Sequence, residues 1–200
     1  AWAQSEPQAS GASDGGLEEI VVTAQRRSEN LQKVPVVVTA VAPEVLEARN
    51  VSTLQDLPKL TPALTVQNQA SNVTPFIRGV GSTVTGAGQA ASVATYVDGV
   101  YISTLTSAAF DLDNVEQVQV LEGPQGSLYG RNATGGAIVV TTKTPRPGDP
   151  ISGRFRAEYG NYDNRGGSAI LSGGLGEMFA FSINGSLRKR DGYIKNLNAP

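Results

Sequence analysis

Residues 115–143 read VEQVQVLEGPQGSLYGRNATGGAIVVTTK, and this stretch decides the fold. Its two ends, 115–121 and 137–142, are rich in β-branched residues, which predicts two strands. The glycine-rich loop between them contains no GxxxxGK[ST] pattern and lies in no clear strand-to-helix turn, so it lacks the features of a phosphate-binding loop. We therefore interpret its glycines as turn residues.

The chain before this stretch contains more short elements. The pair Asp98-Gly99 predicts a two-residue hairpin turn in which both residues have positive φ. Short strands between long loops, together with two small helices, indicate an α+β fold. The helices are predicted over 43–49 and 54–60, and the further strands at 34–41, 64–68, 74–78, 94–97 and 100–103.

A cluster of prolines at 145–150 predicts a linker. After it, apolar and polar residues alternate over 151–159, 165–175 and 179–188, and each run is close to the roughly 9–11 residues of a membrane β-strand. In a soluble sandwich the apolar side of such strands faces a core, whereas in a barrel it faces lipid. Three antiparallel strands cannot close a barrel, so they either lean on the preceding domain or belong with many more strands.

Composition and motif spacing exclude several classes of function. The 200 residues include no Cys and no His, which removes cysteine nucleophiles, histidine bases, Ser-His-Asp triads and nearly every zinc or haem site. The formal net charge of −2 gives no overall basic field, so no nucleic acid is expected as a partner. Residues 111–122 resemble a calcium loop, but they lack its fifth ligand and its glycine. We predict no enzyme, no metal site and no cofactor.

The N-terminal region has two parts. Residues 1–16 are mostly small and polar, and they predict a disordered tail. The β-branched run 17–24 follows, and nothing nearby is expected to pair with it. It is either the first strand of the next domain or an extended segment offered to the sheet edge of another protein.

Residues 115–143 resemble the long signature of the plug domain of TonB-dependent outer-membrane receptors. Two shorter elements support the resemblance: FIRGV at 76–80 is similar to the family's (I/V)RG element, and YVDGV at 96–100 is similar to its YxDG hairpin. EIVVTA at 19–24 is similar to the TonB box, the partner-binding segment of the family. The resemblance covers about 17–143, and the strands that follow are similar to the first barrel strands of these receptors.

The resemblance implies a fold and a domain organisation. The fold class is α+β: a plug domain with a small mixed β-sheet and short helices, followed by the first antiparallel strands of a truncated transmembrane β-barrel. A plugged barrel of about 22 strands needs several hundred more residues, so the chain is expected to be an N-terminal fragment or a truncated product. The expected parts are a tail at 1–16, the TonB box and a linker at 17–29, the plug at 30–147 and the start of the barrel at 148–200.

The function that the resemblance implies is energised uptake of a scarce nutrient, such as an iron-siderophore complex, through the cell outer membrane. The implied partners are a TonB-type periplasmic energy-coupling protein, outer-membrane lipid around the barrel, and the nutrient ligand. The alternative is a soluble periplasmic binding or interaction module that uses the plug fold alone. This alternative predicts that the charged residues of the last strands face water.

The resemblance also implies three groups of site residues. Arg78, Glu122 and Arg131 are expected to make polar contacts inside the plug or against the barrel wall. The TonB box comprises Glu19, Ile20, Val21, Val22, Thr23 and Ala24. Ligand-facing residues are expected in the loops 81–92 and 103–110, namely Gly81, Ser82, Thr83, Gln89, Ser92, Ser103 and Thr104.

Overall fold

The computed structural model describes residues 21–22, 29–30, 36–69, 72–82, 91–103 and 112–191, so the predicted tail lies outside the described residues. Within this part of the chain, no helix is long and apolar enough to cross a membrane. We refer to residues 36–143 as the body. The elements are β1 (Val21–Val22), β2 (Glu29–Asn30), β3 (Val38–Val41), α1 (Pro43–Ala48), a 3-10 helix (Leu54–Lys59), β4 (Leu64–Gln69), β5 (Asn72–Ile77), β6 (Val93–Val97), β7 (Val100–Tyr101), β8 (Val115–Glu122), α2 (Gly126–Tyr129), β9 (Gly136–Thr142), β10 (Ser152–Gly160), β11 (Asn164–Leu175) and β12 (Phe179–Lys189).

The two strands predicted first, β8 and β9, lie inside a five-stranded sheet of order β3-β8-β9-β6-β7. β6 runs parallel to β9, and the other neighbouring pairs are antiparallel. One face of the sheet packs against α1 and the 3-10 helix, where Leu46 and Leu54 join Val118 in the main apolar cluster. The other face carries a smaller cluster that includes Tyr96 and Tyr129. This small mixed sheet with short helices confirms the predicted α+β class.

The second predicted helix is a 3-10 helix at Leu54–Lys59, whose three-residue repeat matches the spacing of its leucines. Pro58 lies inside it and has no N–H to donate. The hydroxyl of Thr53, the N-cap residue, donates to Asp56 Oδ2 at 2.8 Å. Burial raises the pKa of Asp56, but the hydrogen bonds from Lys59 and Thr53 outweigh this effect and hold that pKa below its ordinary value.

Several predicted boundaries differ from the structure. The strand predicted at 34–41 begins at Val38 among the described residues, and the one predicted at 100–103 ends at Tyr101. The strand predicted at 74–78 ends one residue earlier, because Arg78 has a φ of 51° and opens a turn. The sequence does not predict α2, since four residues show no periodicity.

The expectation that nothing nearby pairs with the run 17–24 is wrong at β1. Val21 pairs with Asn30 and Val22 pairs with Glu29, in an antiparallel ladder of two residues. An extended segment exposes backbone donors and acceptors, and a second extended segment close in sequence satisfies them at small entropic cost. The pairing was not predictable because Glu and Asn are poor strand formers.

The hairpin turn between β6 and β7 is confirmed. Asp98 and Gly99 have φ angles of 48° and 80°, so both adopt the positive values that the turn requires. The Asp98 carboxylate accepts two hydrogen bonds from Thr142 at the end of β9, one from its N–H at 2.8 Å and one from its hydroxyl at 2.7 Å. These two hydrogen bonds therefore connect the turn to β9 beyond Val97 and Val140, the last paired residues of β6 and β9.

We expect Asp98→Ala to lower the free energy of unfolding of the body by about 1–2 kcal/mol, because two hydrogen bonds are lost and alanine tolerates positive φ poorly. Asp98→Asn is the matched control, since asparagine keeps an acceptor and tolerates this φ. The measurement is the urea concentration at which the body becomes sensitive to protease. An unchanged urea midpoint in Asp98→Ala would show that the contacts with Thr142 do not matter.

The last three strands form an antiparallel sheet of order β10-β11-β12, which confirms the strands predicted there. We call it the three-stranded sheet. Its register places the bulky apolar side chains on one face, where Phe155 and Leu187 expose 77% and 84% of their surface. The opposite face carries serines, Asn184 and two arginines, and it lies against the body. This orientation is the reverse of a soluble sandwich, in which the apolar face would be covered.

The proline linker is fixed to one end of the three-stranded sheet. Gly148 N–H donates to the Gly176 carbonyl at 3.0 Å, and Gly174 N–H donates to the Asp149 carbonyl at 2.9 Å. A Cβ on Gly174 would lie 2.9 Å from Asp149 N, so the close approach requires glycine. The linker therefore positions the sheet relative to the body by backbone contacts.

Candidate functional site

The structure describes some of the predicted site residues. Val21 and Val22 of the predicted TonB box form β1. Four residues at the ends of the two predicted ligand-facing loops are also described, namely Gly81, Ser82, Ser92 and Ser103. The remaining members lie outside the described residues: Glu19, Ile20, Thr23, Ala24, Thr83, Gln89 and Thr104.

The described ends of the two loops lie at one end of the body sheet. β6 follows the first loop and β7 precedes the second, and because β6 and β7 form a hairpin, both loops are at the end opposite its turn. The Ser92 carbonyl accepts a hydrogen bond from Gly135 N–H at 2.8 Å, which fixes the first loop to the glycine-rich loop. We call this end of the sheet the loop end.

Two of the three predicted polar residues are in contact at the loop end. Arg78 Nε lies 2.6 Å from Glu122 Oε2. The carboxylate side chain is nearly buried, whereas the Arg78 side chain is more than half exposed. Arg131 lies exposed in the turn after α2. The contact between Arg78 and Glu122 connects the turn after β5 to the end of β8. The predicted roles of the three residues, as polar contacts inside the plug or against the barrel wall, stay predictions.

A glycine pair allows the loop end to pack closely. A Cβ on Gly135 would lie 2.8 Å from the Val80 carbonyl oxygen. Gly136 has a φ of 145°, and a Cβ there would collide with the Leu121 carbonyl oxygen and lie 2.8 Å from Ile77 Cδ1. Beyond the turn role that the sequence predicts, these glycines therefore provide close packing between the turn after β5 and the two central strands.

Three tyrosines connect the glycine-rich loop to the β6–β7 hairpin. The Tyr96 hydroxyl donates to the Tyr129 carbonyl at 2.6 Å, and this bond is buried. The ring of Tyr96 lies 5.2 Å from that of Tyr129 and 5.5 Å from that of Tyr101, measured between centroids. Asn132 Nδ2 donates to the Tyr101 hydroxyl at 2.6 Å. Sequence reasoning missed this cluster, because Tyr129 lies more than 25 positions along the chain from the two tyrosines of the hairpin.

Two ion pairs join the three-stranded sheet to the body. Arg156 Nη1 lies 2.7 Å from Asp113 Oδ1, and these side chains are only 27% and 11% exposed. Arg154 Nη1 lies 2.6 Å from Glu47 Oε1, with side-chain exposures of 47% and 43%. Sequence reasoning missed both pairs. The available signal was the alternation that places both arginines on the polar face of β10.

A cavity of about 390 Å³ lies between the body and the three-stranded sheet. Val97, Val140 and Ile102 line it on the body side, and Ile170 and Asn184 line it on the sheet side. Among the described residues, no group of three His, Cys, Asp or Glu side chains is arranged to hold a metal ion. The cavity is therefore a mixed polar and apolar gap between two surfaces joined by ion pairs.

Comparison with known families explains why a small α+β body is followed by a sheet that packs its polar face against it. The family model described as "TonB-dependent Receptor Plug Domain" matches residues 30–137, which is more than half of the chain. The chain belongs to the TonB-dependent receptors. This confirms the resemblance identified in residues 115–143, and it places the chain in the cell outer membrane, with residues 30–137, which include most of the body, matching the plug domain.

Similar proteins include receptors and transporters. The pesticin receptor of Yersinia pestis is 38% identical over 131 residues, which cover 63% of this chain and 19% of the receptor. The vitamin B12 transporter BtuB of Vibrio vulnificus is 30% identical over 189 residues, which cover 90% of this chain and 29% of the transporter. The chain thus spans less than a third of the length of these relatives.

A solved structure agrees with the fold. The crystal structure of the ferric yersiniabactin uptake receptor FyuA from Yersinia pestis matches with a TM-score of 0.63 and 29% sequence identity, over 78% of this chain and 24% of that chain. The similarity extends over more of this chain than the match of the plug model does. The family is therefore one of receptors and transporters, and its fold accounts for both the plug and the strands that follow it.

Proposed function

We propose that the chain is the plug, with the first barrel strands, of a transporter that takes up a scarce nutrient such as a ferric siderophore through the outer membrane. The observation that carries the proposal is the orientation of the three-stranded sheet. Its polar face meets the plug and its apolar face is exposed, as expected for a barrel wall with a polar lumen and a lipid-facing exterior. The proposal assigns the chain no catalytic role and no cofactor.

The soluble-module alternative is less consistent with these contacts. It predicts that the charged residues of the last strands face water, and Arg165 and Lys189 are indeed exposed, whereas Arg154 and Arg156 both pair with acids of the plug. It would also leave a continuous apolar face in water, and soluble monomers rarely expose large apolar patches. The structure therefore favours a membrane environment for this face.

An uptake experiment tests the proposed function. Cells that lack the receptor are compared with cells that express it intact and with cells that express it without residues 30–147. The substrates are labelled ferric siderophores and labelled vitamin B12. We expect the intact receptor to restore energy-dependent uptake of at least one of them, and the version without the plug to give only energy-independent leakage. Uptake that is the same with and without the receptor would contradict the proposal.

We further propose that the segment from Glu19 to Ala24 binds a TonB-type energy-coupling protein by adding a strand to its sheet. β1 supports this proposal, because Val21 and Val22 of the segment already form a strand whose described pairing occupies one edge only. The ladder with β2 is two residues long, so a partner strand can displace it at small cost. Main-chain hydrogen bonds along an added strand provide an attachment through which force is transmitted.

We expect Val22→Pro to weaken binding of the energy-coupling protein's periplasmic domain by about tenfold or more, since proline removes a backbone donor and restricts the strand. Val22→Thr is the matched control, because threonine keeps the donor and the β-branched shape. The measurement is the affinity of the purified receptor for that domain by calorimetry. Unchanged affinity in the Val22→Pro variant would rule out strand addition at this segment.

The proposal also assigns roles to the two ligand-facing loops and to the three predicted polar residues. We propose that the loops 81–92 and 103–110 face the nutrient, supported by the position of their described ends at one end of the sheet. Arg78 and Glu122 are proposed to hold the loop end together, and exposed Arg131 to contact the barrel wall. The 2.6 Å contact between Arg78 and Glu122 supports the first of these two roles.

A further inference from the structure

Four charged side chains surround a narrow gap between the body and the three-stranded sheet. Asp113 lines the gap on the body side, and Arg156, Glu158 and Arg188 line it on the sheet side. The volume of the gap is about 10 Å³, which is room for about one water molecule. Two acidic and two basic side chains therefore meet where little solvent is present to screen their charges.

Arg156 has two carboxylates within reach. In the structure its Nη1 lies 2.7 Å from Asp113 Oδ1, across the interface. Glu158 lies on the same polar face of β10, because residues two apart along a strand share a face. Two steps of about 3.4 Å separate the Cα atoms of Arg156 and Glu158 by roughly 7 Å, a distance that the two long side chains can span. Among the ion pairs of the described residues, none includes Glu158.

A glycine on the neighbouring strand leaves room for the Glu158 side chain. Gly166 of β11 pairs with Glu158 on one side and with Arg188 of β12 on the other. A Cβ on Gly166 would lie 3.5 Å from both Cβ and Oε2 of Glu158. A larger side chain at Gly166 would fill the space beside this carboxylate. Glu158, which is partly buried, therefore has room to change its rotamer.

We infer that Glu158 is the alternative partner of Arg156 and takes over its guanidinium when Asp113 moves away with the plug. This inference rests on the proposed function, because it requires the plug to move relative to the barrel wall. Breaking a mostly buried ion pair is costly when the remaining charge has no partner. The gap admits about one water, so solvent cannot replace Asp113 at the start of this movement. Glu158 supplies the compensating charge and thereby lowers the barrier to release of the plug.

The other ion pair of the interface has no such substitute. Arg154 and Glu47 are nearly half exposed, so water screens their charges as they separate. The neighbouring positions on the polar face of β10 are Ser152 and Arg156, and neither offers a carboxylate. The substitute carboxylate therefore lies beside the ion pair that solvent screens less.

The test is the rate at which the plug of the intact receptor becomes protease-sensitive after transfer to a fixed urea concentration. We expect Glu158→Gln to slow this release about threefold, the factor that corresponds to one partly exposed ion pair. Loss of an ordinary stabilising contact would have the opposite effect and speed release. Glu177→Gln is the matched control, because Glu177 is exposed in the turn between β11 and β12 and should leave the rate unchanged.

A second comparison separates this role from simple repulsion between Glu158 and Asp113. Arg156→Gln alone should speed release, because Asp113 loses its partner. Adding Glu158→Gln to that variant should cause no slowing, since no guanidinium is left to take over. If the added substitution still slowed release about threefold, repulsion from Asp113 would explain the effect and the inference would be wrong. Glu158→Ser replaces the Gln variant if the latter does not fold.

Two further results would also overturn the inference. One is an unchanged or faster release in the single Glu158→Gln variant, and the other is an equal slowing in the Glu177→Gln control. Failure of the proposed function gives a different result. The unaltered receptor would then show no band that migrates faster before boiling, and the inference would fall with the proposed function.

Discussion

Replacing Gly136 with alanine is expected to lower the free energy of unfolding of the plug by about 2–6 kcal/mol. The positive φ of this residue costs a non-glycine side chain roughly 1–3 kcal/mol. The new Cβ would also collide with the Leu121 carbonyl oxygen and crowd Ile77 Cδ1, and overpacking of this kind costs about another 1–3 kcal/mol. Because a domain is stable by only about 5–15 kcal/mol, the plug of this variant should become protease-sensitive at a markedly lower urea concentration.

Gly126→Ala is the control for this prediction. Gly126 starts α2 in the same glycine-rich stretch, and a Cβ there would meet no atom within 4 Å. Alanine in a helix is favourable, so the control should be as stable as the unaltered receptor or slightly more stable. Both variants are measured by the urea concentration at which the plug becomes protease-sensitive. Similar midpoints in the two variants would mean that close packing at Gly136 is unimportant.

The second large effect is expected at the contact between the plug and the three-stranded sheet. Asp113→Asn and Arg156→Gln should each cost about 1–3 kcal/mol, because each leaves a mostly buried charge without its partner. The double variant should cost less than the sum, with a coupling energy of about 1–2 kcal/mol. The measurement is a double-mutant cycle on the free energy of unfolding of the plug in the intact receptor.

Glu47 and Arg154 provide the internal comparison. Their ion pair has a similar distance, but both side chains are nearly half exposed, so solvent screens the interaction. The corresponding cycle with Glu47→Gln and Arg154→Gln should give a coupling energy of less than about 1 kcal/mol. Additive costs in the first cycle would show that Asp113 and Arg156 do not hold the plug against the sheet.

Local chemistry explains which parts of the fold were predictable. Asp98-Gly99 specifies its turn because few residues tolerate positive φ, and this preference does not depend on distant residues. The parallel pairing of β6 with β9 has no local signal, since Val93 and Gly136 are more than 40 positions apart. Alternation predicted the last strands, and the arrangement of their polar face against the plug required the structure.

For the candidate site, too, the sequence indicated some of the residues, whereas their contacts became known only from the structure. The resemblance identified Arg78 and Glu122 as polar contacts, but no feature of the sequence alone indicates that they pair with each other. In the sequence, Asp113 belongs to a stretch that only partly resembles a calcium loop, and in the structure it pairs with Arg156. Ion pairs depend on the spatial approach of two segments, which residue spacing along the chain does not reveal.

We propose that the plug lies inside an outer-membrane barrel whose wall includes the three-stranded sheet. The most direct measurement uses an antibody against residues 30–147 on fractionated membranes, with samples run unheated and boiled. The predicted result is a band in the outer-membrane fraction that migrates faster before boiling, as a closed barrel does. A soluble periplasmic band whose migration does not depend on heating would contradict the account.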